Sequence, residues 1–449
     1  MQQKRWTFNP KSETSTAELE EKLGLSKELV ELLHQREVTT FEEAQTFFRP
    51  QMSHIHDPLL MKDMDKAIER IHLAQEKNEG VMIFGDYDVD GTTSVALAYS
   101  FFKEKFEKID YYIPDRYKEG YGISNDGIDY AKANGLSLII ALDCGIKSID
   151  HVAYAKERNI DFIICDHHRP GEFLPDAVAV LDPKRDDCNY PYDELCGCGI
   201  GFKLIQALGK NRNQTIEDLT EYLDLVATAI AADIVPMTGE NRTLAKFGMD
   251  VINSSPRPGI KALLQSIKKK EITITDVVFT VAPRINAAGR IKHGDYAVRL
   301  LTEFNLAQAE EFAKEIEDNN NERKGLDKQI TKEALSQIIE SKEEKRFTTV
   351  VYQEDWHKGV IGIVASRLIE QHFKPTIVFA ENDGFLTGSA RTVNDFDIHE
   401  SLTQCADLLV KFGGHTHAAG LTIEKGNIEI FKKQLKWFKS LKNDSILEL

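Results

Sequence analysis

The chain has 449 residues, too long for one small core and suited to two or three domains. With 42% hydrophobic and 29% charged residues it has an ordinary globular composition, and no apolar run approaches membrane-spanning length. A formal net charge of −16 argues against a protein that coats nucleic acid by bulk electrostatics and leaves room only for a local basic groove.

Helix signals come first: Ser15–Leu23, Ser26–His34 and Thr40–Phe48, with Ser and Thr at cap positions and Pro50 as a stop. From about residue 65 short apolar strands alternate with helices. The strands are expected at Gly80–Phe84, Leu136–Leu142, Ile160–Cys165 and Ala177–Leu181, with a helix over Thr92–Lys105. Such alternation predicts an α/β fold with a doubly wound, mostly parallel sheet. A further helix over Leu219–Ala232 ends at Asp233-Ile-Val-Pro236. Residues 305–345 read as a long amphipathic connector with a break near Asn319-Asn-Asn321. Beyond it, Thr348–Tyr352, Thr376–Phe379 and Leu421–Ile423 suggest the strands of a smaller α/β domain.

Cys144, Cys165, Cys188, Cys196, Cys198 and Cys405 form no CxxC pair or spaced framework, and several lie in apolar runs. This suggests reduced, buried thiols in a cytoplasmic protein. The amino terminus carries no apolar signal segment, and no membrane association is expected.

The richest chemistry follows the first strand, where Asp86, Asp88 and Asp90 alternate in Gly85-Asp-Tyr-Asp-Val-Asp-Gly91. Three carboxylates within five residues repel one another unless a cation compensates them. A solvated acidic turn is the bland alternative. A calcium loop is excluded because its twelfth position is Leu97, not Glu, and a strand precedes it. The next strands end in Asp143-Cys-Gly145 and Asp166-His-His168, and the helix before Pro236 ends in Asp233. In open parallel sheets ligands bind beyond the carboxyl ends of the strands, so these side chains should converge. An oxygen-rich set with one or two imidazoles suits Mn²⁺ or Mg²⁺, and four or more carboxylates suit two ions. His167 and His168 must point different ways, one to metal and one to substrate.

Arg290 and Arg391 sit among small residues that let a guanidinium reach a phosphate, although a surface ion pair is the commoner fate of an arginine. The same choice applies to Arg116 and Arg284. Lys268-Lys-Lys270 reads as a solvated helix end, Trp356 as core or base-stacking, and Gly413–Gly420 as a turn with two histidines.

Asp-Tyr-Asp-Val-Asp-Gly, Leu-Asp-Cys-Gly, Asp-His-His and Ala-Asp-Ile-Val-Pro-Met occur in the order of the four motifs of the DHH phosphoesterase superfamily, which this sequence resembles. Arg116–Ser124, Pro283–Arg290, Trp356–Arg367, Gly388–Arg391 and Phe412–Gly420 further resemble the RecJ branch and its DHHA1 domain. The resemblance spans about residues 80–423. It implies an organisation of a helical segment (1–75), a DHH catalytic domain with a helical extension (76–304), a connector helix (305–345) and a DHHA1 substrate-binding domain (346–449).

The resemblance further implies 5′→3′ degradation of single-stranded DNA to mononucleotides with two Mn²⁺ or Mg²⁺ ions, in DNA repair and recombination. Asp88, Asp90, Asp143, His167 and Asp233 would be metal ligands, with Asp143 the bridge and Asp86 an added ligand or a supporting group. His168 would meet the scissile phosphate, completing a catalytic set with Asp143 and Asp88, while Asp166 orients its neighbours. Arg116, Arg290, Ser389, Arg391 and His415 would bind substrate, and His417 is unassigned. Single-stranded DNA is the implied partner, with a single-strand-binding protein and a helicase beside it. The family usually adds an OB-fold domain after DHHA1, whereas this sequence ends at Leu449. The rival expectations are a DHH hydrolase of short RNA oligomers or cyclic dinucleotides, and a non-catalytic replication scaffold.

Overall fold

In the computed structural model, which describes residues 17–342, 346–382, 384–393 and 396–437, three short helices open the chain. They are α1 (Ala17–Leu23), α2 (Lys27–His34) and α3 (Phe41–Phe48). Thr40 caps α3 in a reciprocal box with Glu43, which satisfies two otherwise orphaned amides. Leu19, Val30, Leu33, Val38 and Ala44 form a small core of their own.

After α4 (Met64–Glu76), strands β1 (Gly80–Gly85), β2 (Ile109–Tyr112), β3 (Leu136–Leu142), β4 (Asp161–Cys165) and β5 (Ala179–Leu181) build a sheet in the order β2-β1-β3-β4-β5. Every pairing in it is parallel. Between the strands run α5 (Val89–Phe102), α6 (Asn125–Ala133) and α7 (Ile149–Lys156). The strands are apolar on both faces because both are covered. Val81, Ile83, Leu138 and Ile140 face one core, while Met82, Phe84, Ile139 and Ala141 face the other. The strand order reverses between β1 and β3, which opens a crevice at their carboxyl ends.

The sheet is extended by α8 (Gly197–Lys210), α9 (Leu223–Asp233), α10 (Gly239–Ser254), α11 (Pro258–Leu264), α12 (Ile274–Asp276), a π-helical turn (Val277–Val281), α13 (Ala282–Ile291) and α14 (Asp295–Thr302). The expected helix Leu219–Ala232 is in fact two pieces, a 3₁₀ segment over Glu217–Tyr222 and then α9.

Helix α15 (Leu306–Glu340) runs unbroken through Asn319-Asn-Asn321, against expectation. Asn319 and Asn320 are buried, and the Asn320 side-chain oxygen accepts a hydrogen bond from Arg323 one turn later, within the helix. The chain divides into two compact units inside this helix, at Glu317/Asp318. The second unit contains β6 (Thr349–Gln353), α16 (Ile361–His372), β7 (Thr376–Asn382), β8 (Phe385–Arg391), α17 (Ile398–Thr403), β9 (Leu409–His415), β10 (Ala418–Glu424) and α18 (Ile428–Trp437). Its sheet, ordered β6-β7-β8-β10-β9, is parallel only between β6 and β7. Gly413–Gly420, read as a turn, is a hairpin whose arms are β9 and β10. Trp356 is core, and its indole nitrogen donates to Glu333. Cys144, Cys165, Cys196, Cys198 and Cys405 are buried free thiols, and Cys188 is half-buried. Among the described residues no helix is long and apolar enough to cross a membrane.

Candidate metal centre

The carboxyl ends of β1, β3 and β4 and the end of α9 converge. His167 Nε2 lies 3.2 Å from Asp143 Oδ1, 3.8 Å from Asp90 Oδ2 and 3.7 Å from Asp233 Oδ2. Two triads with metal-ligand spacing result, Asp143–His167–His168 and Asp90–His167–Asp233. The residue common to both is His167, whereas Asp143 belongs to one. Asp86 and Asp88 join neither triad. Asp88 caps α5 by accepting the Gly91 amide at 3.0 Å, and Asp86 is wholly buried beside it.

The residues present fit a cation. Asp143 Oδ1, Asp86 Oδ2 and both ring nitrogens of His167 are buried without a hydrogen-bond partner. Native proteins seldom leave so many polar atoms orphaned in one place. Burial, reinforced by Asp90 and Asp88, pushes the Asp143 carboxyl well above the usual range. Burial does the same for Asp90, with Asp233 and Asp88 adding to it, and for Asp86, with Asp88 adding. Asp233, at the rim, is raised to about 6 by burial and Asp88. Burial and the neighbouring His168 hold His167 down to about 3, so its imidazole is neutral and free to ligate. The repulsion that raises the acids is what a divalent ion would relieve.

Two features hold the acids in place. Asp143 sits at φ 59° directly after β3, a backbone state that turns its side chain into the crevice. Asp90 is gripped from below by the first amides of α8: Gly197 N donates at 2.7 Å and Cys198 N at 2.8 Å, one to each carboxylate oxygen. A side chain on Gly197 is forbidden there, since its Cβ would lie 2.5 Å from Asp143 Cβ and 2.7 Å from Asp143 Oδ1.

Asp166 orients. One of its oxygens accepts the His167 and His168 amides and faces His168 Nδ1 at 2.7 Å, while the other accepts the Ile146 amide at 2.8 Å. Burial opposes its charge, but these contacts outweigh burial and hold Asp166 below the usual carboxylate range. Burial likewise pulls His168 down, and the Asp166 carboxylate more than compensates, leaving the ring above its ordinary value. The far nitrogen of His168 meets the Tyr121 hydroxyl at 3.2 Å, and the same hydroxyl donates to the Asp143 carbonyl at 3.1 Å.

Sequence reasoning overlooked Tyr121, although an aromatic residue between Gly120 and Gly122, both at positive φ, is a visible signal of a presented ring. It overlooked Gly197 too, and Asp182, which follows β5 as the other acids follow their strands. Asp182 is fully buried with one oxygen unpartnered, and burial raises it to about 7.

Of the basic candidates in the first unit, Arg116 lies over the Tyr87 ring at 4.6 Å, inside the Asp86–Asp90 loop. Gly289 packs so closely on Tyr87 that a Cβ would meet its carbonyl at 2.6 Å, which brings the end of α13, with Arg290, to the same loop. Arg284 is structural, bonded to Glu317, Thr280 and Ser266. Lys268, Lys269 and Lys270 are exposed, but in the loop after α11 rather than at a helix end, and Lys269 pairs with Asp276 at 2.6 Å.

In the second unit Ser389 and Arg391 share a face of β8, with Arg391 Nη1 3.1 Å from Ser389 Oγ. The first turn of α16 abuts both: a Cβ on Gly362 would lie 2.9 Å from Ser389 Oγ and 3.2 Å from Arg391 Nη2. His415 is exposed at the end of β9.

A strand-end acid–histidine cluster on a doubly wound sheet, followed in the chain by a second, mixed-sheet unit, is the arrangement of the DHH family. Accordingly, residues 80–230 match the DHH family, N-terminal domain, and residues 344–440 match the DHHA1 domain. The single-stranded-DNA-specific exonuclease RecJ of Bacillus subtilis is 38% identical over 96% of this chain, which spans 54% of that relative. RecJ of Salmonella typhimurium is 38% identical over 83% of the chain, which covers 68% of it. Among solved structures, exonuclease RecJ bound to manganese matches with a TM-score of 0.77 at 28% identity, covering 87% of this chain and 97% of the other. Thermus thermophilus RecJ in complex with Mn²⁺ matches with 0.81 at 26% identity, covering 94% of this chain and 60% of the other. The chain belongs to the RecJ family.

Proposed function

We propose that this chain is a metal-dependent exonuclease that degrades single-stranded DNA from the 5′ end to mononucleotides, serving DNA repair and recombination in the cytoplasm. The observation that carries this reading is the pair of triads sharing His167, with its neutral ring and orphaned nitrogens. Asp90, Asp143, His167 and Asp233 would hold two Mn²⁺ or Mg²⁺ ions, with Asp88 and Asp86 completing the set. Such ions, when bound, supply a hydroxide nucleophile and neutralise charge on the phosphate. The chain's own groups do the rest. Asp166 fixes His168, whose far nitrogen faces the crevice and can donate to a phosphoryl oxygen once Tyr121 gives way. Arg116 and Arg290, at the Tyr87 loop, suit the backbone of an incoming strand, while Ser389 and Arg391 suit a terminal phosphate and His415 a further contact. A single-strand-binding protein and a helicase fit as partners, since the strand must be exposed before it is cut.

The test incubates the protein with Mn²⁺ and end-labelled single-stranded DNA, duplex DNA, short RNA and a cyclic dinucleotide. Mononucleotides released from the 5′ end of the single strand alone are expected. Preferential cutting of RNA or the cyclic dinucleotide would move the assignment to the rival substrates. No cutting of any substrate by metal-loaded protein would leave the scaffold reading.

A further inference from the structure

Ile234 carries two costs that nothing among the described residues repays. It follows Asp233 at the end of α9 with φ 60° and ψ 31°, a left-handed state that β-branched residues rarely enter. It is also 84% exposed and joins no apolar cluster among the described residues. Its neighbour Val235 turns inward and packs on the core, so the turn itself is anchored without Ile234. Gly or Asn would close the helix more cheaply. Strained residues of this kind gather where function holds them, and the adjacent Asp233 stands 3.7 Å from His167 in the metal centre.

We propose that Ile234 is a substrate-contacting residue: its side chain forms an apolar rest for the nucleobase of the nucleotide being released, beside the phosphate at the metal centre. The inference builds on the single-strand reading above. An apolar rest is indifferent to base identity, which suits an enzyme that must accept every base, because each base offers a hydrophobic face. The contact is made equally in ground and transition states, so it should appear in KM and leave kcat alone.

The sign of the stability change separates this role from a structural one. Ile234→Gly and Ile234→Asn both relieve the backbone, so their melting temperatures should equal or exceed that of the wild type. Their KM for a single-stranded oligodeoxynucleotide in Mn²⁺ should rise about threefold to tenfold, the loss of one partly buried aliphatic side chain, with kcat little changed. Ile234→Leu keeps the apolar surface and should bind as the wild type does. An abasic site at the reacting nucleotide should weaken the wild type by the same factor and the Gly variant no further. Phe373→Gly is the matched control. Phe373 ends α16 at φ 48° and is 59% exposed, some eleven residues, or about 16 Å of helix, beyond Gly362. Relief there should leave KM unchanged. Unchanged KM in a folded Ile234→Gly or Ile234→Asn protein would overturn the proposal, as would a fall in melting temperature accompanied by lost kcat. If the wild type itself cuts no single-stranded DNA, the functional reading fails first and this inference with it.

Discussion

Gly197→Ala places a single methyl group at the centre of the metal-binding architecture. The new Cβ would lie 2.5 Å from Asp143 Cβ, 2.7 Å from its Oδ1 and 2.8 Å from its Cα. Carbon atoms rest about 3.5–4.0 Å apart, so Asp143 or the start of α8 must retreat by about 1 Å. Asp143 has little freedom, because its amide is tied to Cys165 O at 2.9 Å and its backbone is already left-handed. If α8 moves instead, the two amides at 2.7 and 2.8 Å leave the Asp90 oxygens. At this first helical position propensity favours Ala over Gly by at most about 1 kcal/mol, whereas overpacking costs about 1–3 kcal/mol. Overpacking wins, so the metal-free variant should melt modestly lower than the wild type. The functional loss should be larger, on the order of 100-fold in kcat/KM, the usual consequence of a 1 Å misplacement of reacting groups. Mn²⁺ affinity, read from the electron paramagnetic resonance of free ion, should fall in parallel, with circular dichroism showing a retained fold. A folded Gly197→Ala protein with wild-type Mn²⁺ affinity and turnover would refute the reasoning.

Three further outcomes are expected. Asp143→Ala should abolish turnover while the metal-free protein melts no lower than the wild type, because it removes a carboxylate that burial and its neighbours disfavour; a folded variant that still hydrolyses DNA would take Asp143 out of the site. Asp182, raised to about 7 by burial, favours the folded state when protonated, and that stabilisation is present below the ordinary aspartate value and lost as pH rises through about 7. Asp182→Asn should therefore raise the melting temperature of metal-free protein more at pH 8 than at pH 5, and an equal shift at both pH values would count against a buried acid there. Arg391→Ala should weaken use of 5′-phosphorylated strands about tenfold to a hundredfold, the size of a lost charge-assisted hydrogen bond, and affect 5′-hydroxyl strands less. Equal losses on both would assign Arg391 to the fold or to general backbone grip.

The central strands were legible because β1, β3 and β4 are continuous apolar runs that each end in an acid, a pattern that needs no tertiary information. Strand β2 was not, since Ile109-Asp-Tyr-Tyr112 is four half-buried residues at a sheet edge. The Gly-rich strands β8 and β9 form because antiparallel pairing with β10 overrides weak local propensity. The ligand candidates could be read from motif and position. Tyr121 and Asp182 left local signals, flanking glycines for one and a place after β5 for the other, but Gly197 left none: an unremarkable Gly becomes indispensable only when Asp143 occupies the volume of its missing side chain. The approach of His167 Nε2 to within 3.8 Å of Asp143, Asp90 and Asp233 is likewise a matter of three distances, and no spacing in the sequence encodes it.

Assembly from scattered strand ends also governs when this potential nuclease is complete. Asp86 and Asp233 are 147 positions apart in the chain, with Asp143 and His167 between them. During translation at about 5–20 residues per second, roughly 7–30 s separate the synthesis of the earliest acid from that of the latest. Throughout that interval, and in any fragment truncated before α9, one triad lacks a member. A chain that ends before Asp233 therefore has no complete Asp90–His167–Asp233 triad and, under the proposed function, should not hydrolyse nucleic acid.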